Sequence, residues 1–184
     1  MLEIGKGLGG GIFPIAALMA REGLNVMADR ALGHYTHEKN PVACAAALAA
    51  IEFIESENLL QHTQTLGDYA LGRMREMMTR HPLIGDVRGL GLLMGMELVR
   101  DRATMERASE EAEQIMYRAL TRGLNFKLTM GNIVTLTPAL TLTQSEMDRA
   151  LEILEASIGE VEQQSARTSA SRGVTIGQGN LGPS

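Results

Sequence analysis

A lysine stands inside a run of glycines near the start of the chain, Gly5-Lys6-Gly7-Leu8-Gly9-Gly10-Gly11. No neighbouring Cβ crowds its amine or whatever that amine reaches. Glycines also let the backbone take positive φ and approach a bound group closely, at about 0.5–1 kcal/mol each in regular structure. A primary amine with open space around it attacks carbonyls once it loses its proton. Two phosphate-loop readings fit poorly. Gly5, Gly7 and Gly10 satisfy G-x-G-x-x-G, but that fingerprint follows a strand and opens a helix, and only four residues precede Gly5. A Walker loop places its lysine after the glycines, followed by Ser or Thr. On residue types alone, a flexible segment is the plain alternative.

A second polar stretch, Gly33-His34-Tyr35-Thr36-His37-Glu38-Lys39-Asn40-Pro41, is rich in groups that bind or catalyse. His34 and His37, spaced i, i+3 with Glu38 nearby, suggest a metal site, but two histidines without a third ligand are weak evidence, so a hydrogen-bonded loop is the favoured reading and no metal is expected. Cys44, the single cysteine, sits among alanines and reads as a small buried residue. It has no partner for an internal disulfide, which fits a reducing, cytoplasmic setting.

The elements that must position these groups follow from periodicity. Residues 12–20 read as a buried apolar strand broken near its start by Pro14. Asn40 should cap a helix opened by Pro41, buried on every side from Val42 to Ala50. After a break at residues 55–58, the set Leu59, Leu66, Ala70, Met74 and Met77 predicts a long helix to Arg80, ended by His81-Pro82. Residues 84–99 predict strands with a glycine-rich bend, Leu92, Met94, Met96 and Leu98 sharing one face. Helical spacing returns over 103–122 with Gly123 as its stop. Residues 124–128 and 133–142 read as strands. Thr143-Gln144-Ser145-Glu146 is a capping box for the last helix, whose buried stripe includes Met147, Leu151, Leu154 and Ile158. From residue 163 the composition predicts a disordered tail.

Length and charge narrow the classes. At 184 residues the chain can bury about 70% of its unfolded surface. With aromatics at 3% and 12 methionines, its core must be aliphatic and thioether. A net charge of −5 disfavours nucleic acid and anionic membrane as partners. No signal peptide is visible, and no run approaches eighteen apolar residues.

Taken in order, four stretches carry a family resemblance: Gly5 to Gly11, Asn40-Pro41-Val42-Ala43-Cys44-Ala45-Ala46, Gly85-Asp86-Val87-Arg88-Gly89-Leu90-Gly91, and Leu136-Thr137-Pro138-Ala139-Leu140-Thr141. Over residues 1 to about 160 the chain resembles the class III aminotransferases, pyridoxal-phosphate enzymes of fold type I. The resemblance implies an α/β fold in which residues 1–57 end the large domain, 58–82 form a connecting helix and 83–162 the small α+β domain, before the tail at 163–184. It implies that Lys6 forms the Schiff base with pyridoxal 5'-phosphate and that Thr36 hydrogen-bonds the cofactor phosphate, usually across a homodimer interface. Amino transfer between a small amine or amino acid and a keto acid is the activity it implies.

Three departures qualify that expectation. His37-Glu38-Lys39 replaces the aromatic residue and paired glycines common before the Asn-Pro pair. Thr135 stands where many relatives carry the arginine that clamps a substrate carboxylate. Lys127 and Arg88 remain as anion partners, Arg88 reading better as a fold-holding residue. The glycine-rich phosphate loop, the ring-stacking aromatic and the acid that pairs with the pyridine nitrogen are not found, which implies the C-terminal portion of such an enzyme. These departures keep a lyase of the same fold, eliminating ammonia or phosphate from a small amine, as the alternative. An inactive fragment that associates or aggregates through Val42 to Ala50 is a third reading.

Overall fold

Alternating apolar residues build the sheet that organises the second half of the chain. A computed structural model describes the backbone of residues 1–27, 29, 30, 36 and 38–174, and the side chains of these up to Arg167. They divide into two units, Met1–Leu60 and Gln61–Ser184.

In the first unit, β1 (Leu2–Ile4) pairs antiparallel with β2 (Ala17–Met19), Glu3 opposite Leu18. Helix α1 covers Pro41–Ser56. The sequence predicts a buried strand over 12–20. The structure has a three-residue strand there, exposed along its length, in a two-stranded sheet with β1; an apolar run shows what can be buried, and these side chains have no layer over them within their unit. Helix α1 also differs from expectation. Its buried residues are Ala43 and Ala47, while Val42 is 62% and Leu48 56% exposed. Cys44 is exposed rather than buried. An all-apolar run can bury any face, but only the stripe that meets a partner within its unit does so here.

The second unit is a sheet covered by helices. Helix α2 (Leu59–Arg80) buries Leu66, Ala70, Met74 and Met77, the predicted stripe. Strands β3 (Ile84–Leu90) and β4 (Leu93–Asp101) form a hairpin across Gly91, at φ +54. Leu92, Met94, Met96 and Leu98 turn into the core at period two, as their spacing predicts. Residues 103–108, predicted helical, instead form a turn and β5 (Glu106–Arg107), paired with β4. Met105, at φ +56, cannot continue a right-handed helix.

Helix α3 (Ser109–Thr121) buries Ala112, Ile115 and Ala119. It ends where Gly123, at φ +90, lets its own N–H reach Leu120 O and the Leu124 N–H reach Ala119 O, both at 3.0 Å. Strands β6 (Lys127–Thr129) and β7 (Ile133–Leu136) complete an antiparallel sheet ordered β3-β4-β7-β6. Helix α4 (Gln144–Val174) starts on the predicted capping box. The Thr143 N–H donates to Glu146 Oε2 at 2.9 Å, and the Glu146 N–H donates back to Thr143 Oγ1 at 3.3 Å. Where the composition predicts a disordered tail from residue 163, α4 continues to Val174. Ala166, Arg167 and Ala170 favour helix, and the next proline is Pro183. Residues 175–184 lie outside those described. No helix of the described residues is long and apolar enough to cross a membrane.

Candidate active site

The glycine run forms the connection between β1 and β2. Lys6 opens a short 3-10 turn, Lys6–Gly9, directly after β1. Backbone bonds from Gly10 N–H to Gly7 O (3.0 Å) and Ile12 N–H to Gly9 O (3.2 Å) tighten this loop. Gly10 and Gly11 sit at φ +65 and +75, conformations that favour glycine. A Cβ on Gly9 would meet Ile15 Cγ2 at 3.2 Å. Gly7 and Gly11 have nothing within 4 Å of an added Cβ, so space is open on either side of the turn.

Lys6 itself has φ +51. For a residue with a Cβ this conformation costs about 1–2 kcal/mol. Backbone strain of this kind collects at functional sites, where it aims a side chain that relaxed geometry would point elsewhere. The Lys6 side chain is exposed and no carboxylate pairs with it among the described residues. Periodicity and residue type carry no signal for that backbone state.

Thr36 is an exposed turn residue. Residues 31–35 and 37, which include His34 and His37, lie outside those described. No hydrogen bond joins Lys6 and Thr36 among the described residues. Lys39, at φ +56, pairs with Glu38 at 3.6 Å, both side chains being largely exposed. Asn40 then fastens the loop to α1: its Oδ1 accepts the N–H of Val42 at 2.9 Å and of Ala43 at 3.4 Å. Among the described residues, no three His, Cys, Asp or Glu side chains are grouped to hold a metal.

In the second unit, Arg88 bonds to Asp86 and to Glu97 at 2.9 Å. Those two carboxylates, Asp86 first, hold its guanidinium firmly charged. Thr135 lies opposite Lys127 across the β6–β7 ladder, and its hydroxyl is 2.8 Å from that of Thr129. Lys127, Thr135, Thr137 and Pro138 line a cavity of about 200 Å³. The sequence suggests Lys127 only as a residue type. Its position opposite Thr135 comes from the strand register.

Known proteins bear on this arrangement in three ways. The profile of the aminotransferase class-III family matches residues 1–158. An (R)-1-hydroxy-2-aminoethylphosphonate ammonia-lyase of Vibrio splendidus is 47% identical over 88% of this chain and 34% of its own length. A leucine/methionine racemase of Thermococcus litoralis is 42% identical over 89% and 37%. The chain thus spans about a third of the length of these relatives. Among solved structures, a PLP-bound amine transaminase from an uncultivated Pseudomonas species superposes with a TM-score of 0.80. It is 28% identical and covers 86% of this chain and 38% of its own. With the profile running from the glycine-flanked lysine to residue 158, inside the last helix, the chain belongs to the class-III aminotransferase family.

Proposed function

We propose that this chain supplies the lysine-bearing part of a pyridoxal-phosphate-dependent enzyme of small amines, whose activity is amino transfer to a keto acid. The observation that carries the reading is Lys6, an exposed amine on a left-handed backbone between glycines with open space beside them. Its donor set fits the cofactor: a primary amine suits an aldehyde, and the hydroxyl of Thr36 suits a phosphate. Family membership implies pyridoxal 5'-phosphate, which when bound supplies an aldehyde and an electron-accepting ring. Lys6 gives up its proton to attack, then holds or moves a proton at the substrate carbon that bears the amine. Thr36 donates its hydroxyl to a phosphate oxygen of the cofactor held by the partner protomer of a cytoplasmic homodimer. In this reading residues 1–57 belong to the large domain, 58–82 link, and 83–162 form the small domain.

The test uses the scarcity of lysine: the chain has only Lys6, Lys39 and Lys127. Incubation with pyridoxal phosphate, borohydride reduction and peptide mapping should label Lys6 and leave Lys6→Ala unlabelled. Equal labelling of Lys39 and Lys127 would refute the assignment. Because the chain covers about a third of its relatives, little amino transfer is expected from it alone. Robust turnover by these residues alone would overturn that expectation.

A second reading, ammonia elimination, is favoured by one specific observation. Residue 135 is a threonine, where the family resemblance implies the arginine by which many relatives clamp a substrate carboxylate, and a 47% identical relative is an ammonia-lyase. A lyase releases ammonia without a keto acid. A transaminase needs one, so activity of the complete enzyme with and without pyruvate separates the two.

A further inference from the structure

Three elements meet at one imidazole. His81 stands just past the end of α2, its backbone N–H donating to Met77 O at 2.9 Å, and its side chain is only 14% exposed. Two carboxylates of α4 flank the ring. Nδ1 lies 2.7 Å from Glu162 Oε2, and Nε2 lies 3.4 Å from Glu155 Oε1. Glu155 and Glu162 are about two helical turns apart and so share a face of α4. Between them Gly159 keeps side chains away from the ring, since even an added Cβ would sit 3.6 Å from His81 Cε1. The other oxygen of Glu162 accepts the Leu83 N–H at 3.1 Å, which brings in the approach to β3. Two arginines complete the charged surroundings among the described residues. Arg80 donates to Glu155 Oε1 at 2.6 and 3.0 Å, and Arg102, just past β4, donates to the His81 carbonyl at 2.8 Å.

Both ring nitrogens thus face oxygens of carboxylates, which only accept. A neutral imidazole has one N–H and one lone pair, so one nitrogen would turn its lone pair on a carboxylate. The imidazolium donates from both. His62 is the contrast: its Nε2 lies 2.9 Å from Leu142 O, a bond the neutral ring can make. Burial alone would raise the Glu155 carboxyl, yet the bonds from Arg80 and then His81 hold it below its ordinary range.

We infer that His81 is a proton-operated clasp on the last helix. Protonated on both nitrogens, it grips Glu155 and Glu162 and holds α4 to the corner between α2 and β3; losing one proton releases that grip. Elsewhere along α4, Arg118 and Arg122 donate to Glu160, a pairing that needs no histidine proton. Release therefore loosens one edge of the helix and does not unseat it. Glu162 lies beyond residue 158, so one jaw of the clasp stands outside the segment that the family profile matches. Neither Lys6 nor Thr36 enters it, and it is independent of the cofactor reading.

The sign follows from linkage. Stability that depends on a proton held by the folded chain is present at low pH and lost as pH rises. The experiment compares circular dichroism melts of the full chain with those of His81→Gln and Glu162→Gln from about pH 5.5 to about pH 9. His81→Gln, whose amide carries no charge, should melt about 4 °C or more below wild type at the acid end, and that gap should close toward the alkaline end. Glu162→Gln keeps an acceptor for the Leu83 N–H and should lose most of the same pH dependence. A gap of constant size makes His81 a packing residue and overturns the inference, as does no gap at all. Wild-type nitrogen NMR decides where a variant fails to fold. Both His81 ring nitrogens should be protonated at the acid end, and their conversion should move the amides of Leu83 and Glu162 with a common midpoint. A single neutral tautomer throughout, or a titration that leaves those amides still, removes the clasp.

Discussion

Adding one methyl group at two glycines of the same helix should have opposite effects. Gly67 and Gly72 both lie inside α2, where helix propensity alone makes Gly→Ala favourable by about 0.8–1 kcal/mol. An added Cβ on Gly72 meets nothing within 4 Å. On Gly67 it would stand 2.2 Å from the carbonyl oxygen of Gly91, 2.4 Å from its carbonyl carbon and 2.6 Å from its Cα. Carbon contacts settle near about 3.5–4.0 Å, so helix and hairpin would have to part by about 1 Å or more. The obstacle is backbone at φ +54, which has no flexible end to swing aside. Overpacking of this kind costs about 1–3 kcal/mol or more, exceeding the propensity gain. Gly67→Ala should therefore lose about 2 kcal/mol and Gly72→Ala gain about 0.5–1 kcal/mol. At about 4 °C per kcal/mol, their melting temperatures should differ by about 10 °C. Far-UV circular dichroism melts of the three proteins read this directly. If Gly67→Ala melts with or above Gly72→Ala, the close approach of α2 to the β3–β4 turn is wrong.

Three further outcomes follow from the same geometry. The Glu146 carboxyl is held below its ordinary range by the Thr143 backbone N–H first and its hydroxyl second. A depressed folded pKa stabilises above the unfolded value and fades in acid. The deficit of Glu146→Gln in urea unfolding should thus be present at neutral pH and close as pH falls through the carboxylate range. Gly123→Ala should lower the melting temperature although its Cβ would meet nothing. Its φ of +90 puts the cost, about 1 kcal/mol or more, in the backbone. Asn132 is fully buried and donates Nδ2–H to Leu98 O at 2.9 Å. Asn132→Ala should cost about 1–3 kcal/mol in the same melts and leave cofactor labelling of Lys6 unchanged.

Much of the second unit was legible in residue order. The α2 stripe, the β3–β4 alternation, the Gly123 stop and the Thr143–Glu146 box are local patterns, set by interactions within a few residues. The first unit was less legible, because apolarity states what a residue tolerates and not what covers it. Val42 and Leu48 read as core, yet are exposed for want of a neighbour within their unit. Met105 defeated a helical pattern because a positive φ leaves no trace in periodicity.

For the candidate site, the residue types of Lys6 and Thr36 and their motif order came from the chain itself. That Lys6 sits on strained backbone, that Lys127 faces Thr135, and that Gly67 must stay a glycine came only from the tertiary structure. The physical reason is range. Spacing along a chain encodes which face a residue shares with its near neighbours. Strand register and backbone approach depend on residues tens of positions away, whose meeting is decided by packing.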